Sequence, residues 1–242
     1  MTTAEAARRL RVSQRQVERL IGRGVVPARR TAGDAWVVDT LAVNSLGRSR
    51  PVRGRPWSPE VAWGALWILS GLEAPWVDQR TRSRLSSRFK SMEAPALVHA
   101  CRRRGDVARY RVSESFLDEL GEVLVRSGTS AAEQYGLAED AARVEGYCEA
   151  EEAAELRAKF RLVDDERGNV TLRATRFARV VNVGLRTMPT AVVAVDLAES
   201  YEARERAVGL RALQDMLGRA VAIGVRESDA RPQGGVSYSR KR

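Results

Sequence analysis

The side chains of this 242-residue chain best suited to chemistry lie in its first 30 positions. Gln14, Arg15, Gln16 and Arg19 follow Ser13 in SQRQVERLIGRG, and Arg23 closes that stretch. Arginine pairs bidentately with the guanine edge of the major groove and glutamine with the adenine edge. A short helix carrying both is therefore suited to reading base pairs. Arg29 and Arg30 come next, in VVPARR, and Arg30 is suited to meeting a phosphate. Arg53 and Arg55 lie in RSRPVRGRP, residues 48–56, which has two prolines, one glycine and four arginines. Such a segment is extended. It serves as a plain linker, as a basic arm on phosphates or in a minor groove, or as both.

Other chemistry finds little material. The sole histidine, His99, has no cysteine or carboxylate partners at metal-ligand spacing and reads as a helix residue. Cys101 and Cys148 are far apart and outside any C-x-x-C pattern, so both are expected to be reduced, buried thiols. Asp164, Asp165 and Glu166 are adjacent carboxylates, but in a turn, where Asp is favoured for backbone reasons. Asp196 ends an apolar run with no histidine, nucleophile or phosphate loop beside it, and a capping role is expected. Nucleotide-binding and hydrolase signatures are missing from the sequence. The expectation is no enzyme, no metal and no cofactor.

Net charge sharpens the first reading. The chain carries +10, but residues 1–111 hold 22 Lys/Arg against 9 Asp/Glu, a net of +13, and residues 112–242 a net of −3. This asymmetry suggests a nucleic-acid-facing end and a different task for the rest. The sequence has neither an apolar run long enough for a membrane span nor an apolar signal core in MTTAEAARRL, so a cytoplasmic protein without membrane contact is expected.

The elements that position the basic residues are legible. Thr2-x-x-Glu5 is a capping box opening a helix to about Leu10, and Ser13-x-x-Gln16 opens a second to about Ile21. Two helices joined by so short a turn cross steeply, with Ala7 at the close approach and Val17, Leu20 and Ile21 on the packed face. VVPARR and AWVV around TAGD read as a two-stranded wing, and Asp39 caps a third helix over residues 40–47. On the words AEAARRL, VS, QVERLI, RGVVPARR, the lone Trp36 and the short last helix, residues 3–47 resemble excisionase-type helix-turn-helix domains, relatives of the mercury-resistance regulators. Arg11 departs from the glycine usual there. The resemblance implies binding of double-stranded DNA.

Further on, Ser58-Pro59-Glu60 starts a helix with Trp63, Leu66 and Trp67 on one face. Asp78 caps another, with Thr81, Leu85, Phe89 and Met92 as its buried stripe and Arg80, Arg84 and Arg88 on a different face. A helix over residues 94–104 and a strand, VARYRV, complete what could be a second winged-helix-like module. Helix is expected in SESFLDEL and EAEEAAELRAKF, a β-hairpin in FRLVDDERGNVTLRA, a buried strand in TAVVAVDLAES, and a last helix over residues 201–224.

The fold class is thus mainly α with small β elements (α+β), a winged helix-turn-helix followed by a larger helical and α+β region. The divisions are 1–47 for DNA binding, 48–56 as linker, 57–112 as helical module, 113–225 for oligomerisation or partner binding, and 226–242 as disordered tail. On FRLVDDERGNVTLR, AVVAVDLAES and RERAVGLRAL the second half resembles actinobacterial winged-helix proteins related to the AbiEi antitoxins. That implies a repressor of its own operon and antitoxin of a toxin–antitoxin pair, whose nucleotidyltransferase toxin would bind the acidic half. The expected function is a sequence-specific transcriptional regulator, with homodimerisation as a further use of the acidic half. The competing readings are an excisionase-like DNA-bending factor and a protein-interaction scaffold that does not act on DNA.

Overall fold

In a computed structural model the chain is described from residue 1 to residue 229, apart from residues 11, 23–25, 32, 34, 41, 44–54, 139, 178–179 and 182–183; over 221–229 only the backbone is described. The Thr2 capping box forms reciprocally. The Thr2 amide donates to Glu5 Oε2 at 2.8 Å and the Glu5 amide to Thr2 Oγ1 at 3.1 Å. These bonds pull the Glu5 carboxyl below its usual range. They open α1 (Thr3–Leu10). The Val12 amide closes the turn on Ala7 O at 3.0 Å, and Ser13 caps α2 (Gln14–Gly22) by accepting from the Gln16 amide at 3.3 Å. Strands β1 (Ala28–Arg30) and β2 (Trp36–Val38) pair antiparallel, Arg29 opposite Val37. Thr2 bridges Val37 on the other side of β2, so the start of the chain flanks the hairpin. Asp39 Oδ1 then accepts from the Ala42 amide at 2.9 Å, and Thr40, Ala42 and Val43 are helical. Ala6, Ala7, Leu10, Val17, Ile21, Val26, Val38 and Val43 form one small core of their own.

The remainder of the chain is built in layers around a sheet. Strands β3 (Asp106–Arg111), β4 (Val125–Arg126), β5 (Val144–Glu149), β6 (Val163–Asp164) and β7 (Val170–Thr175) lie in the order β4-β5-β7-β3-β6. Strands β5 and β7 run parallel, Gly146 opposite Leu172, and the other pairs run antiparallel. On one face Tyr110, Val144, Cys148, Val170 and Leu172 pack on α6 (Leu117–Val123) and α7 (Ala153–Lys159). The other face meets α3 (Pro59–Leu69), α4 (Gln79–Phe89), α5 (Ala94–Cys101), α8 (Thr190–Ala198) and α9 (Ala203–Asp229). Edge-to-face rings run through this second core. Trp63 lies 5.8 Å from Trp67 and 5.2 Å from Tyr147, and Trp76 links Trp67 to Phe177. The molecule is an α+β protein.

Several sequence expectations need correction. TAVVAVDLA is helix α8, not a strand. Residues 191–198 are buried on every side, so the run has no amphipathic period to separate helix from strand, and packing overrides the β preference of valine. The FRLVDD and NVTLRA segments are strands β6 and β7, yet not a hairpin, because β3 lies between them. The connecting turn wraps over β3: the Asp165 amide donates to Arg109 O, and a Cβ on Gly168 would lie 1.9 Å from Tyr110 O. Residues 57–112 are no separate winged-helix module. Their helices share a core with α8 and α9, and their strand β3 is internal to the common sheet. The last helix runs to Asp229, so residues 226–229 are helical rather than tail; residues 230–242 lie outside the described residues.

Candidate nucleic-acid interface

Helix α2 divides cleanly. Val17 and Ile21 are buried and Leu20 packs beside them, while Ser13, Gln14, Arg15, Glu18 and Arg19 are exposed and Gln16 is half-buried. The apolar positions pin one side of a nine-residue helix to α1, which leaves Arg15 and Arg19, four residues apart, on one outward face. Gln14 is engaged: its Nε2 donates to Thr3 Oγ1 at 2.9 Å and ties the starts of the two helices together. Reading a base with Gln14 would require releasing that bond.

The hairpin adds two exposed cations. Arg29 and Arg30 follow each other in β1, so they point to opposite faces. The Arg30 guanidinium stacks over the Trp36 ring, 4.8 Å from its centroid. Stacking restrains the side chain, and a restrained guanidinium loses less freedom on meeting a phosphate. Arg55 is exposed just ahead of α3, in the sheet-centred domain rather than on the hairpin. Arg23 and Arg53 lie outside the described residues. The structure thus assembles Ser13 to Arg19 on one helix and Arg29 and Arg30 on the adjacent ribbon.

The densest polar constellation was missed in sequence. Arg104, Tyr147, Arg173, Glu145, Asp196, Glu199 and Ser127 meet between the sheet and the helical layer. Asp196, whose side chain has no exposure, accepts from the Arg104 guanidinium, from Tyr147 Oη at 2.9 Å and from Ser127 Oγ. Arg173 reaches Glu145 at 2.7 Å, Glu199 at 2.9 Å and Asp196 at 3.2 Å. Trp63 Nε1 donates to Arg104 O at 2.9 Å, so the aromatic core fixes the arginine's backbone. The capping role expected of Asp196 is replaced by this network.

Electrostatics explains why the cluster tolerates burial. Burial alone would lower the Arg104 guanidinium, but the charges of Glu199 and Asp196 outweigh it and raise the group well above its usual value. Burial would raise the Glu199 carboxyl; Arg104 and Arg173 reverse that and hold it at about 2. Burial does raise the Glu145 carboxyl, with Arg173 offsetting only some of the shift. Three carboxyls thus face two guanidiniums. The carboxylates are occupied by arginine, and no acid, histidine and cysteine group able to hold a metal occurs among the described residues. Burial also pushes the Cys101 and Cys148 thiols up to about 12, so both are inert as nucleophiles. No helix among the described residues is long and apolar enough to cross a membrane.

Comparisons with protein-family models, with curated proteins and with solved structures find no match to this chain. The resemblances to helix-turn-helix and antitoxin families therefore rest on the sequence words quoted above.

Proposed function

We propose that the chain is a sequence-specific regulator that binds double-stranded DNA through a winged helix-turn-helix in residues 1–47. On this reading α2 is the recognition helix, Arg15 and Arg19 contact base edges, and Arg29 and Arg30 on the β1–β2 wing meet phosphates. The observation that carries it is the two-sided α2, packed on one flank by Val17 and Ile21 and presenting Arg15 and Arg19 on the other, beside an arginine-bearing ribbon. The sheet-centred α+β domain then serves oligomerisation or a protein partner. An autoregulatory antitoxin is the form in which that partner is a toxin.

The test is fluorescence anisotropy of the purified chain on labelled duplex from its own upstream region and on a scrambled duplex, through a salt series to about 150 mM, where exposed charges are screened beyond roughly 8 Å. A preference for the upstream duplex that survives this salt is expected. Arg15→Ala or Arg19→Ala should remove about 1–3 kcal/mol of that preference. Arg30→Ala should weaken both duplexes alike. Equal loss on both duplexes for all three variants would refute base reading.

A further inference from the structure

A second basic surface lies in the helical layer, away from residues 1–47. Helix α4, QRTRSRLSSRF, is anchored by Thr81, Leu85 and Phe89, all buried, and capped by Asp78, which accepts from the Thr81 amide at 2.6 Å. Its exposed positions include Arg80, Arg84 and Arg88, with no acidic residue anywhere within the helix. None of the three has a carboxylate within salt-bridge distance among the described residues; Arg84 donates to Thr81 Oγ1 at 2.8 Å and acts on Asp78 only at longer range. This contrasts with Arg104, Arg111, Arg143, Arg157 and Arg173, each of which is ion-paired.

Spacing of four residues roots the three arginines on one gently winding face, their Cα atoms about 6 Å apart along the axis and about 12 Å from first to last. Duplex DNA carries one phosphate per about 3.4 Å of axis on each strand, so a row this long is commensurate with a few successive phosphates of one backbone. Arg84 and Arg88 also border a cleft of about 200 Å³ with Trp57, Ser58 and Val61. The linker enters the sheet-centred domain at Trp57, just after the exposed Arg55. Of the arginines of RSRPVRGRP, Arg55 stands two residues before Trp57, which lines the cleft that Arg84 and Arg88 border.

We propose that the Arg80–Arg84–Arg88 face of α4 is a second contact for the DNA backbone, indifferent to sequence, on the same duplex that residues 1–47 read. This rests on the DNA-binding reading above. The 14 steps from Val43 to Trp57 can span at most about 50 Å, so the chain allows both parts to reach one duplex. The face takes phosphates rather than an acidic protein because arginines at regular spacing with hydroxyl residues between them match a periodic anion.

The experiment uses the full chain and compares wild type with the triple variants Arg80→Gln/Arg84→Gln/Arg88→Gln and Arg80→Lys/Arg84→Lys/Arg88→Lys, on an upstream duplex with and without ten extra flanking base pairs of arbitrary sequence. Each phosphate contact adds about 0.9 to the slope of log affinity against log salt. The glutamine variant is expected to lose about 2–3 from that slope and the benefit of the flanks, keeping its ratio of upstream to scrambled binding. The lysine variant should retain both. An unchanged slope in the glutamine variant overturns the proposal while leaving the α2 reading intact. A lysine variant as impaired as the glutamine one also overturns it, by showing that the loss is structural. Wild-type chain that binds neither duplex removes both readings.

Discussion

Replacing Asp196 tests whether charge, rather than hydrogen bonding, holds the sheet to the helical layer. Asp196→Asn is nearly isosteric. With its oxygen toward Arg104 and Tyr147 and its amide toward Ser127, whose hydroxyl can turn to accept, the asparagine keeps every hydrogen bond and loses only the charge. Asp196→Ala loses both. Breaking a buried pair by removing one partner costs about 3–5 kcal/mol, and here Arg104 would keep only Glu199, whose side chain is 20% exposed. The low end belongs to Asn and the high end to Ala. In a protein of this size 1 kcal/mol moves the midpoint by about 2–4 °C, so melting should fall by about 6–12 °C for Asn and about 10–20 °C for Ala. Urea unfolding at pH 7 should show lower midpoints with an unchanged slope. Asp164 is a built-in control. It pairs with Arg157 at 2.5 Å but is 71% exposed, and Asp164→Asn should shift melting by no more than about 2 °C. If Asp196→Asn melts within about 2 °C of wild type, the charge contributes nothing net and the argument for an ionic clamp fails.

Two further outcomes follow from the same packing. Glu199 is depressed from 4.5 to about 2 in the folded state, so its contribution is present above pH 4.5 and is lost as pH falls toward 2. That contribution is about 2–3 kcal/mol after discounting for a side chain 20% exposed. Chemical unfolding from pH 6 down to pH 2 should therefore show a shallower acid loss in Glu199→Gln than in wild type, and parallel curves would discard the assignment. Gly209 sits where α9 crosses α8, and a Cβ there would lie 2.4 Å from Ala198 N and 2.5 Å from Ala194 O. Both are backbone atoms, so Gly209→Ala must push the helices apart; a loss of about 1–3 kcal/mol in urea unfolding is expected, and a neutral result would contradict the close crossing.

What the sequence made legible was local. Capping at Thr2, Ser13, Asp39 and Asp78, the pairing of β1 with β2, and the apolar stripe of α2 are each decided by residues a few positions apart, and they form as read. What stayed hidden was non-local. Arg104 and Asp196 are 92 residues apart, and nothing at either position names its partner. A signal existed nonetheless. Asp196 stands alone within AVVAVDLA, and a lone acid in a run buried on all sides needs a buried cation. Arg173 and Glu145, within strands β7 and β5, were the candidates. Strand neighbours were equally illegible. Alternation in NVTLRA identifies a strand and its two faces, Val170 and Leu172 against Arg173 and Thr175, but not that β3 rather than β6 lies beside it.

Charge segregation in the sheet-centred domain bears on how the chain would sit on DNA. Exposed acids crowd α6 and α7 and their approaches: Asp118, Glu119, Glu122, Glu151, Glu152 and Glu155. These helices cover the face of the sheet opposite α4. On the DNA-binding reading, a polyanion would meet fewer carboxylates on the α4 side of the layer stack than on the α6–α7 side. On the proposed reading this fixes which side approaches the duplex before any specific contact forms, and it leaves the acidic side facing away, free for a basic partner. On the same reading, net charge alone would understate an affinity for phosphate. Much of the acid that lowers the total to +10 lies beyond the sheet from α4, where screening at physiological salt acts over about 8 Å.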